Sequence, residues 1–475
     1  MEMESRRREI ARRKRKRQIQ LRRRLAGGAA LIAVGLAAFV CVGRWKAERV
    51  GLELENAEPV LAEAERSERE LIVLNIAEAE PEPVVGLPDA FDLREVYGQM
   101  TVPDQGTFHT CWAFASLKAL ETTVKDGVEL SADHMSLHNG FGLGQDDGGD
   151  YAMASAYLLS WQGPVTEAVD PYGDGHSPED VETLHHVQEI RILGAKDREA
   201  IKQAVWEYGG VQSACYMPQT AGAERARYYQ EETDSFYYNG SQEPNHDVVI
   251  VGWDDNYPKE NFVQHPETDG AFLCMNTWGT EFGKDGYFYI SYEDSRIGET
   301  CVVYTAVEST ENYDRIYQTD LCGWTGQIGY GEPQAWFANV YEAAENLDVA
   351  AVGFYATAPE TAYKVYMKVL EADVPVELSE AVLAAEGTVN HAGYYTVPFE
   401  QILAVAAGKR FAVMIEIDSP GTEEPVAMEY PAGSRWANVD IADGEGYISF
   451  DGVNWERTET EYGCNVCLKV YADVK

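Results

Sequence analysis

A cysteine at the start of a helix is a candidate nucleophile, and the stretch QGTFHTCWAFAS, residues 105–116, supplies one in Cys111. Phe114, Leu117, Leu120 and Val124 follow at helical spacing. The spacing therefore predicts a helix whose positive dipole end and nearby backbone N–H groups favour thiolate over thiol at Cys111. A thiolate that attacks a carbonyl creates an oxyanion, which needs a donor. Gln105, on the loop entering the helix, has a side-chain amide able to provide it. A lone cysteine on an apolar helix is more often a packing residue, so its neighbours must carry the chemical reading. Cys464 and Cys467 form a second cysteine motif, C-x-x-C. CNVCLKVYA alternates like a strand, on which residues three apart face opposite sides, so a metal or redox role is not favoured.

The elements that would position these groups are legible from composition. At 475 residues the chain exceeds one core, and a prior of about 150 residues per unit suggests two or three domains. Hydrophobic residues make up 45% and aromatics 11%, enough for packed cores. The net charge of -41 is uneven: residues 1–24 carry twelve Lys/Arg against three Glu, and the rest is strongly acidic. Nucleic acid is thereby excluded as a partner, since its binding depends on basic side chains, and a solubilising surface outside the cell is the reading preferred. Residues 25–43, LAGGAALIAVGLAAFVCVG, carry no charge and as a helix would cross a hydrocarbon core of about 30 Å. The basic cluster before them should stay in the cytoplasm, sending the remainder outward. A cleaved signal peptide, giving a secreted protein, is the rival, but no clear small-residue cleavage site follows. Residues 44–86 read as an acidic linker or short pro-segment, with LIVLNI at 71–76 a short strand or docking segment. From 87 to 308 helical patterning gives way to strands (DVVIVGW, GAFLCMNTW, GYFYISY), an α+β domain with a cleft between two halves. From 309 to 475 short aromatic strands separated by turn residues suit a β-sandwich.

Four separated segments, in order, resemble papain-like cysteine peptidases. LPDAFDLRE at 87–95 looks like a mature start, VPDQG at 102–106 and CWAFA at 111–115 like the nucleophile region. NHDVVIVGWDDN at 245–256 and MNTWGTEFGKDGYFYISY at 275–292 complete the pattern. The resemblance implies that Cys111 is the nucleophile, His246 its proton partner and Asn276 the group that orients the imidazole. It also implies that Gln105 completes the oxyanion hole with the Cys111 backbone N–H, and that Gly148 and Gly149 hydrogen-bond the substrate chain as an added strand. Trp278, two residues after Asn276, would share its side of an extended segment and shield the Asn–His pair from water, unless it is simply a core residue. The C-terminal part resembles the lectin-like β-sandwich that follows papain-like domains in some bacterial surface proteins, through GYYTVPF at 393–399, GKRFAVMIEI at 408–417 and GYISFDGVNW at 446–455.

Among nine histidines, His246 alone precedes a β-rich run that would set it across a cleft from Cys111. His109 is too near the nucleophile along the chain and is read as a cleft-rim residue. His185 and His186 are read as solvated in a polar helical stretch, and His134, His138, His176, His265 and His391 as surface or turn residues. The chain departs from the family pattern at Phe108, where a cysteine is usual, and no cysteine precedes the glycine pair, so the usual disulfide is not expected. Residues 254–270 read as an inserted loop that lengthens the Cys–Asn interval. The expectation is thus a papain-like two-lobed α+β domain followed by an all-β sandwich, behind an N-terminal transmembrane helix. Its function would be that of a membrane-anchored extracellular cysteine endopeptidase acting on protein or peptide, with a glycan as a further partner for the sandwich, and with no metal or cofactor. The alternatives are a catalytically silent adhesin on the same fold, against which the intact site residues count, and a transpeptidase or amidase acting on cell-wall peptides.

Overall fold

Segments 86–98, 100–218, 222–370, 381–436, 438–442 and 446–475 are described by the computed structural model. The basic start, the apolar run 25–43, LIVLNI and the spacer up to residue 85 lie outside the described residues. Among the described residues no helix is long and apolar enough to cross a membrane.

The first lobe is built on the helix Cys111–Val124, CWAFASLKALETTV, which is almost wholly buried. Trp112, Ala113, Leu117 and Leu120 pack with Met135, Met153, Tyr157 and Leu158 from the helices Ala132–Leu137 and Tyr151–Leu159. Those two helices begin at Ser131 and Asp150, whose side chains accept backbone N–H bonds at their first turns and so fix where each starts. The second lobe is a β-layer: Val211–Cys215, His246–Asp254, Ala271–Met275 and Tyr287–Ser291 pair antiparallel in that order. On one face Val249, Val251, Leu273 and Met275 meet the helix Cys111–Val124. The alternate residues Val248, Ile250, Phe272 and Cys274 close a separate core against the helix Arg198–Glu207. The polar segment 255–270 does join two adjacent strands.

Among the described residues the C-terminal part has two facing sheets and a small three-stranded one, made of Gly326–Ile328, Val426–Glu429 and Asn465–Val466. One of the facing pair is six-stranded, with Val382–Val389, Thr361–Leu370, Arg410–Asp418, Gln334–Glu342, Gly446–Ser449 and Trp455–Arg457 in spatial order. Its Phe337, Phe411, Val413 and Ile415 interdigitate with Val349, Val352, Phe354 and Val470 of the facing sheet. That facing sheet is continuous with the sheet of the second lobe. Ala392–Val405 pairs with His185–Leu193, Tyr394 lying opposite Ile190, so thirteen strands run through both parts among the described residues. Tyr355, Tyr394, Ala427 and Cys467 from beyond residue 309 also enter the first lobe's core.

This continuity corrects two histidine readings. His185 and His186 lie on a strand, not in a solvated helix; His186 is buried, stacks on Trp161 with centroids 3.7 Å apart and reaches Asn312 Oδ1 at 2.6 Å. His134 is likewise no surface residue: helix Ala132–Leu137 carries it inward to the Tyr157 hydroxyl at 2.7 Å. Both read as polar in sequence because the apolar partners that cover them come from distant segments.

Candidate active site

Cys111 is the first residue of its helix and is half-buried. The cap before it, Thr110, spends its hydroxyl on Tyr172, 2.5 Å away, and makes no side-chain cap bond to the helix. Tyr172 in turn donates to the Gln105 carbonyl at 3.0 Å and packs edge-on against Phe114, fastening the entering loop to the helix.

His246 opens the strand His246–Asp254 and is fully enclosed. Its Nε2 lies 2.7 Å from Asn276 Oδ1. That oxygen also accepts the Thr277 backbone N–H at 2.7 Å, which fixes the amide orientation. Nε2 must then be the donor, and a neutral imidazole carries a single N–H. The lone pair is therefore on Nδ1, which has no hydrogen-bond partner among the described residues. Trp278 covers the pair, its ring stacked on His246 at 4.4 Å and 29°. Arg225 also lies over the indole, 4.6 Å from its centroid.

Gln105 is buried against the asparagine segment. Its backbone N–H donates to the Thr277 carbonyl at 2.8 Å, and its Oε1 accepts from the Thr277 hydroxyl at 2.6 Å. With the oxygen so held, Nε2 gives one N–H to the Phe108 carbonyl at 2.6 Å and retains a second. Gly148 and Gly149 form the rim between a short 3-10 turn and the helix Tyr151–Leu159. Gly148 has φ +76°, and a Cβ on Gly149 would stand 2.4 Å from the Trp112 ring, so glycine at 149 is demanded by the residue after the nucleophile. His109 is exposed; its ring bonds the Asp146 carbonyl at 2.7 Å, which ties the cysteine loop to this rim.

The electrostatics differ from the expectation at Cys111. Burial pushes its thiol up to about 12, and the neighbouring Asp247 carboxylate adds to the rise, so the helix end does not win. Burial also lowers His246 to about 4, against the hydrogen bond to Asn276. Burial thus works against the charged form of each partner. Asp247 was not anticipated from sequence, although a carboxylate opening the otherwise apolar run DVVIVGW was the available signal. It is buried opposite Ala214, with Gln212 as its hydrogen-bond partner, and burial raises it to about 7.

Residues 87–310 match the papain family cysteine protease model, and residues 316–472 the lectin like domain model. The chain therefore carries a papain-family cysteine peptidase domain over the two lobes and a lectin-like domain behind them. Among known proteins it is similar to cathepsin S of Bos taurus, 30% identical over 217 residues, which are 43% of this chain and 60% of that protein. It is also similar to the thiol protease aleurain of Arabidopsis thaliana, 30% identical over 236 residues, 46% of this chain and 61% of that protein. The chain thus spans less than two thirds of the length of these relatives. Both parts together resemble the clostridial cysteine protease Cwp84 after propeptide cleavage, with TM-score 0.71, 25% identity, and coverage of 81% of this chain and 99% of that one. A second structure, the cysteine protease and lectin-like domains of Cwp84, a surface layer associated protein of Clostridium difficile, has the same fold with TM-score 0.70 at 24% identity, covering 82% and 90%.

Proposed function

We propose that this chain is a cysteine endopeptidase that hydrolyses peptide bonds through a thioester acyl-enzyme. The observation that carries the reading is the His246–Asn276 hydrogen bond, which leaves the Nδ1 lone pair of His246 as proton acceptor for the thiol of Cys111. In this mechanism Cys111 Sγ attacks the carbonyl carbon while its proton passes to Nδ1. The oxyanion takes the Cys111 backbone N–H and the second N–H of Gln105. Collapse expels the amine, which receives the proton from His246, and water then attacks the thioester with His246 as base. Gly148 and Gly149 hold the substrate backbone. The imidazole takes the thiol proton, and Asn276 keeps it aligned while it is cationic.

The wider setting follows the sequence. Residues 25–43 anchor the chain with the two lobes outside the membrane, and the lectin-like part binds a glycan. The test of the activity is a thiol-directed epoxide probe and a denatured protein substrate, applied to the full-length chain and to Cys111→Ala. Labelling and cleavage that both vanish in the variant are expected. Labelling that persists undiminished would remove Cys111 from the mechanism; labelling without cleavage would favour a transpeptidase or amidase, and neither labelling nor cleavage the silent adhesin. Intact-cell protease shaving should remove the lobes; lobes that survive untouched would overturn the outward topology.

A further inference from the structure

The loop that carries Gly148 and Gly149 is bonded at both ends to Arg435 of the lectin-like part. Arg435 lies in the short 3-10 segment Ser434–Trp436. Its backbone carbonyl accepts the Gly142 N–H at 3.0 Å, and its Nη2 pairs with Asp150 Oδ2 at 2.7 Å. Gly142 and Asp150 are the two ends of the rim loop. The guanidinium lies 5.6 Å from the Phe141 ring centroid and 5.4 Å from that of Trp436, so its approach is set by packing as well as charge. Asp150 Oδ1 meanwhile caps the helix Tyr151–Leu159 by accepting from Ala152 N–H at 3.0 Å and Met153 N–H at 3.3 Å. The middle of the loop is tied to the nucleophile's own segment, since the His109 N–H donates to the Gln145 carbonyl at 3.0 Å. The rim is therefore fixed at its centre by the peptidase part and at both ends by Arg435.

We propose that Arg435 is a positioning residue for substrate binding: by clamping Gly142 and Asp150 it keeps the glycine rim in register with the unprimed residues of a bound peptide. The proposal rests on the peptidase reading above. Arg435 touches neither the reacting atoms nor Cys111, so its effect belongs in KM and grows with the length of substrate lying on the rim. The ion pair is partly exposed, which limits the expected change to several-fold.

The test uses the full-length chain and two fluorogenic amides, one with four residues before the scissile bond and one with a single residue. Arg435→Met keeps the stem and the carbonyl but loses the guanidinium; Asp150→Asn keeps the helix cap but loses the charge; Arg435→Lys restores a cation. Arg435→Met and Asp150→Asn should each raise KM for the longer substrate about fivefold with kcat within about twofold. The single-residue substrate and iodoacetamide alkylation of Cys111 should be unchanged, and Arg435→Lys should recover part of the loss. Unchanged KM for the longer substrate in Arg435→Met overturns the proposal. Equal losses on both substrates with slower alkylation and a lower Tm overturn it too, since they mark a structural brace. A parent that neither cleaves nor labels removes the peptidase reading and the clamp with it, whereas a parent that cleaves while Arg435→Met keeps its KM removes the clamp alone.

Discussion

Asp247 gives the residue scale its sharpest test. Its carboxylate opposes ionisation of Cys111, so Asp247→Asn should lower the thiol pKa. Alkylation of Cys111 as a function of pH should then begin its rise at lower pH than in the parent. Coincident profiles would show that the two groups are not coupled. In the proposed mechanism Asn276 acts by orientation. Asn276→Ala leaves the His246 ring without its acceptor, and kcat/KM should fall by about one to two orders of magnitude, roughly 1.4 to 2.7 kcal/mol, without loss of fold. Full turnover in a normally folded variant would reduce Asn276 to a strand residue.

Elements meet at the rim. The helix Cys111–Val124 projects Trp112 under Gly149, so a side chain at 149 cannot enter without displacing the indole. Gly149→Ala should lower Tm and alter tryptophan emission, at a cost of about 1 to 3 kcal/mol as overpacking, and should slow turnover because the displaced residue adjoins the nucleophile. Gly148→Ala makes only ordinary van der Waals contact with His109, 3.8 Å away, but retains φ +76°, so its penalty of about 1 kcal/mol is conformational. Equal Tm values for parent and Gly149→Ala would mean that the rim gives way freely. Gln105 illustrates the same dependence between elements: its amide is oriented by Thr277, so Thr277→Val should lower kcat as Gln105→Ala does, while binding changes little.

Across the whole molecule the two parts share structure. Tyr355 and Tyr394 fill the first lobe's core, and Ala392–Tyr395 continues the sheet beside His185–Leu193. A chain ending at residue 310 should therefore lose its cooperative unfolding transition or melt well below the parent; an unchanged melting curve would make the shared sheet dispensable. Glu429, within the lectin-like part, accepts the Cys322 N–H at 2.5 Å and the Asn465 amide at 2.7 Å, and burial raises it to about 7. A carboxyl whose folded pKa exceeds its unfolded one contributes stability that is complete below the unfolded value and lost as pH rises through the folded value. Tm should decline from about pH 4.5 to pH 8 more steeply in the parent than in Glu429→Gln. Parallel slopes would show that this carboxyl does not govern the decline.

What the sequence determined by itself was local: a cysteine ahead of a helical apolar stripe, period-two strands behind a histidine, turn residues dividing aromatic strands, and the order of four motifs. These signals come from side-chain chemistry and periodicity within a few residues of each other, so they survive without coordinates. Only the tertiary structure decided what depends on distant segments meeting. Cys111 appeared activated by its helix because the dipole is a local property, whereas burial and Asp247 come from other elements and outweigh it. His186 looked solvated because Trp161 and Asn312 lie far from it in the chain. Arg435 carried no signal in a turn-rich stretch, for its partners Asp150 and Gly142 are nearly three hundred residues away. The division at residues 308 and 309 could be drawn from composition, but strand pairing across it is a matter of backbone hydrogen bonds that no composition records.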